Sequence, residues 1–234
     1  MRRVMITIGL VVMLFCEWAN AVESKTFYSD GNIMPNEQWN AISIYDTPPA
    51  HTTVNMTGGN VLSMYTYDAS ILNMTDGRID RLNSYEYSTV NVSGGVPGYI
   101  SLDALDQSTI NFSGTAEVLN AHALNKSTLN ISGGTINNLN VYNEGIINIY
   151  AGDITTVWSH DDTIVNVFGH HDLMKISTGG LYGNGFVQGY YNDLSWFRFN
   201  LGNEEAYYHI NLIPEPTTIL LLSVGGLFLR KKIN

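Results

Sequence analysis

Thr89-Val90-Asn91-Val92-Ser93-Gly94-Gly95 and Thr128-Leu129-Asn130-Ile131-Ser132-Gly133-Gly134 are two copies of one short pattern. Its central asparagine recurs at Asn55, Asn73, Asn91, Asn111, Asn130, Asn148 and Asn166, at intervals of 18, 18, 20, 19, 18 and 18 residues. Apolar residues flank it on each side. Val54, Leu72, Val90, Ile110, Leu129, Ile147 and Val165 precede it, and Met56, Met74, Val92, Phe112, Ile131, Ile149 and Val167 follow it. Alternation of period two predicts a strand with these two positions facing inward and the asparagine facing out. Glycine-rich turn chemistry comes next, as Gly58-Gly59, Asp76-Gly77, Gly94-Gly95, Gly114, Gly133-Gly134 and Gly152-Asp153. It lets the chain turn a corner.

Two further apolar sets follow the corner, one six residues after the asparagine (Val61, Ile79, Ile136, Ile154) and one nine residues after it (Met64, Leu82, Leu139, Val157). The two longer repeats keep these sets if their extra residues lie just past the glycines. An insertion around Pro97-Gly98 brings Tyr99 and Leu102 into register, and one near Ala116 does the same for Val118 and Ala121. Stacked coils tolerate insertions at corners best. A single coil buries too little apolar surface to offset its backbone entropy, so coils must stack and share hydrogen bonds. The expectation is an all-β chain, a parallel β-helix or β-solenoid of about seven coils over residues 52–169, with irregular caps at 22–51 and 170–213. Apolar spacings of 2, 5 and 3 residues break the hexapeptide rhythm of left-handed helices and favour the right-handed form. A β-propeller needs roughly twice this period.

The ends carry different signals. Arg2 and Arg3 precede an apolar run from Val4 to Phe15, and Ala19-Asn20-Ala21 gives small residues at the signal-cleavage positions Ala19 and Ala21. Residues 1–21 therefore read as a secretory signal peptide. The only cysteine, Cys16, falls inside it, so the exported chain would use neither disulfides nor a thiol nucleophile. At the other end, Pro214-Glu215-Pro216 is followed by an apolar run from Thr217 to Leu229 and by Arg230-Lys231-Lys232. Thirteen residues of helix reach roughly 20 Å, short of the roughly 30 Å hydrocarbon core. Such a transmembrane helix suits transient holding, with the basic stop Arg230, Lys231 and Lys232 on the cytoplasmic side.

This order of motif, apolar helix and basic stop over residues 214–234 resembles the PEP-CTERM sorting signal of exported bacterial proteins. The resemblance implies that Pro214, Glu215 and Pro216 form a sorting motif read by an exosortase-type processing enzyme. Together with the signal peptidase that the leader calls for, it implies transient inner-membrane anchoring, then placement at the cell surface, outer envelope or extracellular matrix. It implies nothing about what the repeat body does.

Composition narrows the function. Residues 22–213 hold six Lys or Arg against nineteen Asp or Glu, a formal charge of −13, which disfavours nucleic acid as a partner. His160-Asp161-Asp162 and His170-His171-Asp172 gather metal-ligand types, but adjacent strand residues point to opposite faces and do not converge on one ion. No cofactor is expected. Some parallel β-helices are polysaccharide lyases or glycoside hydrolases. A lyase on acidic sugars needs cations, and the array offers only Arg78, Arg81 and Lys126. A glycosidase needs two carboxylates about 5–9 Å apart, and stacked coils could put Asp103 or Asp106 near neighbouring acids. The even repeat leaves little room for a cleft, so a non-catalytic role is expected, structural or adhesive. The alternative is surface-polysaccharide binding through Tyr65, Tyr67, Tyr85, Tyr87 and Tyr142, which fall on or beside one edge. Rings stacked on one another between coils would weaken that alternative. The asparagine column reads first as a ladder of stacked amides. It also creates five N-x-Ser/Thr matches, at Asn55, Asn73, Asn91, Asn111 and Asn130, as a by-product of the repeat. The remaining reading is a ligand-binding column. Calcium-binding nonapeptide repeats lack support, because their Asp-bearing pattern is missing.

Overall fold

The computed structural model describes residues 23–95, 101–170, 172–177 and 185–214. These form a β-solenoid of stacked parallel coils. The strands are β1 (Ser24–Phe27), β2 (Gly31–Ile33), β3 (Gln38–Ile44), β4 (Thr53–Thr66), β5 (Ile71–Ser84), β6 (Thr89–Val92), β7 (Ser101–Ala104) and β8 (Thr109–Phe112). They continue with β9 (Glu117–Ala123), β10 (Thr128–Val141), β11 (Ile146–Ser159), β12 (Ile164–Gly169), β13 (Met174–Ile176), β14 (Phe186–Tyr190), β15 (Trp196–Leu201) and β16 (Ile210–Pro214). A short helix, α1 (Glu204–His209), precedes the last strand.

Each repeat is one turn of the stack, as the spacing predicts. The chain runs along a first face, turns at a glycine, follows a second face and returns to begin the next coil. The asparagines pair in register from coil to coil, and so do the apolar residues beside them. Every one of those apolar residues is buried, as are Val61, Met64, Ile79, Leu82, Ile136, Leu139, Ile154 and Val157 on the second face. The register after both insertions is the expected one. Leu102 pairs with Leu82, Val118 with Ile136 and Ala121 with Leu139. Tyr99 lies outside the described residues.

The two corners differ in chemistry. At the first, the chain needs positive φ with no room for a side chain. Gly77 has φ +104°, and a Cβ there would lie 2.6 Å from Met56 Cε and 2.7 Å from Gly58 O. The second corner uses non-glycine residues in the left-handed region: Asp68, Glu86, Asp106, Asn125, Asn143 and Asp161, with φ of 57–59°. Asp and Asn tolerate this conformation better than most residues. A turn hydrogen bond closes the corner, as from Ser108 N to Leu105 O (3.0 Å) and from Ser127 N to Leu124 O (3.2 Å). The serine just past the corner is buried at Ser70, Ser88, Ser108 and Ser127, with Thr163 equivalent. Its hydroxyl donates to a carbonyl of an earlier coil, such as Ser84 O from Ser108 (2.9 Å) or Ala104 O from Ser127 (3.0 Å). A buried hydroxyl needs such a partner, and here the partner also ties two coils together.

The stack extends beyond residues 52–169 at each end. In the N-terminal cap, β2 already has first-face register, with Asn32 opposite Asn55, while β1 and β3 build the second face. Beyond Gly169 the chain makes an antiparallel excursion through β13, β14 and β15. It then rejoins the stack, with Leu201 opposite Val157 and β16 alongside β12. Nine first-face strands thus give about eight turns rather than seven. Buried Tyr191, Phe197 and Phe199 form the aromatic packing of the excursion, with ring centroids 4.1 and 5.8 Å apart.

The run Tyr207-Tyr208-His209-Ile210-Asn211-Leu212 alternates like a strand, yet Tyr207–His209 end helix α1. Asn203 caps that helix by accepting from Ala206 N (3.3 Å), and Glu204 and Glu205 occupy its first turn, where acidic groups meet the helix dipole favourably. Pro214 is itself paired, opposite Gly169, so the stack continues to the end of β16. Among the described residues, no helix is long and apolar enough to cross a membrane. The apolar run expected to do so lies outside them, as does the signal peptide.

Every asparagine of the first face donates its amide to the asparagine one coil earlier. The eight bonds, from Asn55→Asn32 through to Asn211→Asn166, measure 2.8–3.4 Å. Asn111→Leu removes two of them and leaves half-buried amide groups on Asn91 and Asn130 unpaired. It should lower unfolding free energy by about 1–3 kcal/mol. Asn32→Ala, at the exposed end with one long bond, should lose less. Denaturant titration measures both; equal or negligible effects would contradict a cohesive role for the ladder.

Candidate functional site

The second face and its outer edge carry most of the chemically distinctive side chains. In parallel strands, residues at one coil position align along the stack axis about 4.8 Å apart. The chain therefore builds columns in which each side chain meets its own counterpart.

The tyrosine column runs Tyr28, Tyr45, Tyr67, Tyr85. Successive ring centroids lie 5.6, 4.7 and 5.1 Å apart, with interplanar angles of 16°, 7° and 6°. Tyr65 packs beside Tyr67 at 6.4 Å. Farther along, Tyr142 lies flat on His160 at 4.7 Å. Apart from Tyr28, exposed at the end of the column, the rings are half-buried and cover one another's faces, the arrangement that leaves little π-surface for a sugar. Tyr87 alone of the five candidate tyrosines is largely exposed, at 64%. Tyr28 and Tyr45 join the column although they precede the repeats. Their sequence signal, aromatics at Tyr28 and Tyr45 just after β1 and β3, is visible only once those strands are placed.

A polar cluster occupies the middle of the second face. Asp103 Oδ1 accepts from Ser101 Oγ (2.8 Å) and meets His122 Nδ1 at 2.5 Å. Asn83 takes the amide orientation in which its nitrogen donates to Asp103 Oδ2 (3.1 Å) and its oxygen accepts from the Tyr85 hydroxyl (3.3 Å). Asn83, Asp103 and His122 occupy equivalent positions in three successive coils. The Ser101 hydroxyl and His122 imidazole both address the carboxylate rather than one another. The geometry is that of a carboxylate hydrogen-bonded by an imidazole and a hydroxyl, distinct from a serine activated by a histidine base.

The other candidates are engaged by structural neighbours. Asp106 sits in the second corner, where it accepts from Asn125 Nδ2 (3.3 Å), so the two candidate carboxylates have His122 and Asn125 as partners. Arg78 is held by Asp80 (2.6 Å), Lys126 lies 3.7 Å from Glu144, and Arg81 is exposed. The His160 imidazole reaches Glu205 at 3.6 Å, Asp161 forms the second corner, and Asp162 is exposed. His170 Nδ1 meets Asp172 Oδ1 at 2.6 Å, and His171 lies outside the described residues. Among the described residues, no group of three or more His, Cys, Asp or Glu side chains is placed to hold a metal ion.

Two open grooves lie over the first coils, one of about 350 Å³ lined by Gln38, Trp39, Asn40, Asn60, Leu62 and the Arg78–Asp80 pair, and one of about 520 Å³ beside it along Pro35, Asn36, Gly58 and Gly77. The most distinctive group of the first, the Trp39 indole, already donates to Glu37 Oε2 (3.3 Å) and lies under the Lys25 ammonium at 5.0 Å. Of the residues that the sequence marks for sorting and processing, Pro214 is exposed at the end of β16. Glu215, Pro216, Arg230, Lys231 and Lys232 lie outside the described residues, as do Ala19 and Ala21. Comparison with known proteins yields no relative: no family model, curated protein or solved structure matches this chain.

Burial pushes the Tyr67 phenol above its ordinary value of 10, and the neighbouring Tyr45 and Tyr85 hydroxyls add to the shift. The folded protein thus resists the phenolate, whereas the unfolded chain ionises near pH 10. Stability attached to Tyr67 is complete below that pH and is lost as pH rises through and beyond it. Tyr67→Phe keeps the ring in the stack and removes the titration. Its unfolding midpoint should therefore fall less than wild type between pH 9 and pH 12. Parallel curves for the two proteins would contradict this.

Proposed function

We propose that the protein is an exported, non-catalytic structural or adhesive component of the bacterial cell surface or extracellular matrix. On this reading, residues 1–21 direct secretion, and the segment from Pro214 holds the chain at the inner membrane until an exosortase-type enzyme processes it. The stack then serves as a stiff acidic rod. The observation that carries the reading is the use made of the outward side chains. Asparagines, second-corner carboxylates and amides, and tyrosines bond or stack with their counterparts one coil away. Side chains committed to each other along the axis resist shear and bending, as amide ladders and aromatic stacks do in other stacked-strand assemblies.

A second reading, recognition of a surface polysaccharide, is favoured by a different observation. The first face carries no charge from Thr53 to Phe168, in a chain that is otherwise acidic. The self-stacked tyrosine edge gives that reading little support.

Intact mass of the protein recovered from each cell fraction tests the rod proposal. A species starting near Val22, ending near Pro214 and recovered outside the inner membrane is expected. A species that retains Arg230-Lys231-Lys232 and stays in the inner membrane would overturn the sorting and matrix roles.

A further inference from the structure

Seven of the nine first-face strands, those between β2 and β16, carry one five-residue row each, of which Thr89-Val90-Asn91-Val92-Ser93 and Thr109-Ile110-Asn111-Phe112-Ser113 are typical. The second and fourth residues of each row are buried, so the first, third and fifth form the outer surface. None of the residues in the seven rows is charged. Rows repeat about every 4.8 Å along the axis, and outward residues about every 6.7 Å across it, giving an even surface roughly 30 Å long and 15 Å wide. Charged side chains appear on the second face and at the corners, including Arg78, Arg81, Asp103, Asp106 and Glu144, and Asp30 beside Thr53 marks the β2 end of the first face (2.8 Å from Thr53 N), so the absence of charge belongs to the seven rows between the flanking strands.

The hydrogen-bonding capacity of this surface is defined by the ladder. An asparagine amide has two N–H donors and an oxygen with two lone pairs. The ladder uses one donor and one lone pair on each internal asparagine. One N–H and one lone pair per coil are therefore left over, at a fixed repeat. Threonine or serine hydroxyls flank them in the first five rows, except where Ile71 opens the second row. The last two rows change character: Ile146 and Ile164 replace threonine, and Tyr150 stacks on Phe168 at 4.4 Å. Tyr150 and Ile164 are each about two-fifths exposed.

We propose that this face is a docking surface for an uncharged, ordered polysaccharide. A hydroxyl-rich polymer both donates and accepts, which matches a comb offering one donor and one acceptor per repeat. Sugar rings also present C–H faces, which match the isoleucine and aromatic rows. Docking desolvates no ion on this surface, whereas an acidic polymer would meet the net charge of the rod unfavourably. A water-lattice surface would use the hydroxyl rows but has nothing to place on Ile164, Tyr150 and Phe168. The inference deepens the polysaccharide reading above and rests on it, but moves recognition from the tyrosine edge to the asparagine face.

Cosedimentation of the purified full chain with microcrystalline cellulose, chitin and an acidic pectate gel is the test, at low and at molar salt. The expected result is retention on an uncharged polymer, unchanged by salt, with none on pectate. Ser93→Lys with Ser132→Lys places two charges at exposed positions of the first face and should weaken retention at least ten-fold. Asn137→Lys with Thr155→Lys adds the same charge to exposed positions of the second face and should leave retention unchanged. Circular dichroism and melting establish that each variant is folded. Failure to bind either uncharged polymer overturns the proposal. So does equal loss in the two double variants, or loss only with Tyr67→Ala. Altered growth of ice crystals without polymer binding would assign the face to a water lattice instead. A rod that is recovered outside the inner membrane yet binds no polymer would sink this inference alone. A binding rod retained in the inner membrane would sink the sorting proposal alone.

Discussion

An amide hydrogen bond repeated between equivalent asparagines fixes how each coil sits on the one before it. A β-strand slipped by a single residue would turn its buried side chains outward. In this stack it would also place Val, Leu, Ile or Met where the next amide needs a partner. Burial and the amide bond therefore specify the same register. The ladder begins at Asn32 and ends at Asn211, spanning insertions of different lengths and the whole antiparallel excursion. Chain length between first-face strands varies, and the pairing does not.

The corners follow from that register. A coil must turn twice without displacing its neighbour, so the first corner uses glycine, where a neighbouring backbone approaches too closely for a Cβ. The second corner has more room and is held by left-handed Asp, Asn and Glu residues. It is backed by a serine whose buried hydroxyl reaches a carbonyl of an earlier coil. Each device acts between neighbouring coils, so cohesion is the sum of nearest-neighbour interfaces, as in other repeat proteins. The ends then need special treatment. Aromatic packing around Tyr191 and Phe197 with helix α1 accompanies the C-terminal end, where Asn203 also bonds to Ser159.

The coil body was legible in the sequence because its signal is apolar and periodic. Alternation about Asn91 or Asn130 named the inward positions, and the insertions near Pro97 and Ala116 kept register where corners could absorb them. Asn32 and Asn211 were not recognised as ladder members. They lie 23 and 45 residues from their partners, outside the common interval. The buried serine column and the left-handed corner also recur every coil, but polar residues at turns look like ordinary solvent-facing loop. Tyr207–His209 alternate like a strand yet end a helix, because alternation over three residues carries less weight than the cap provided by Asn203. The tyrosine edge shows a similar limit. Sequence placed the rings on one edge, whereas only geometry shows that their faces cover one another. The uncharged first face was present in the residues throughout, but it becomes a surface only once the rows are known to align.

Crosslinking across the longest sequence gap tests the continuous register-locked stack most directly. In a Cys16→Ser background, Asn166→Cys with Asn211→Cys places thiols on facing residues of β12 and β16. Neighbouring strands lie about 4.8 Å apart, within the Cα separation that a disulfide spans. Mild oxidation should give one intramolecular crosslink in high yield. Asn166→Cys with Ile210→Cys should give little, because Ile210 is buried and points to the other side of the sheet. No crosslink in the first pair, or equal yields in the two, would contradict a ladder that runs unbroken from Asn32 to Asn211.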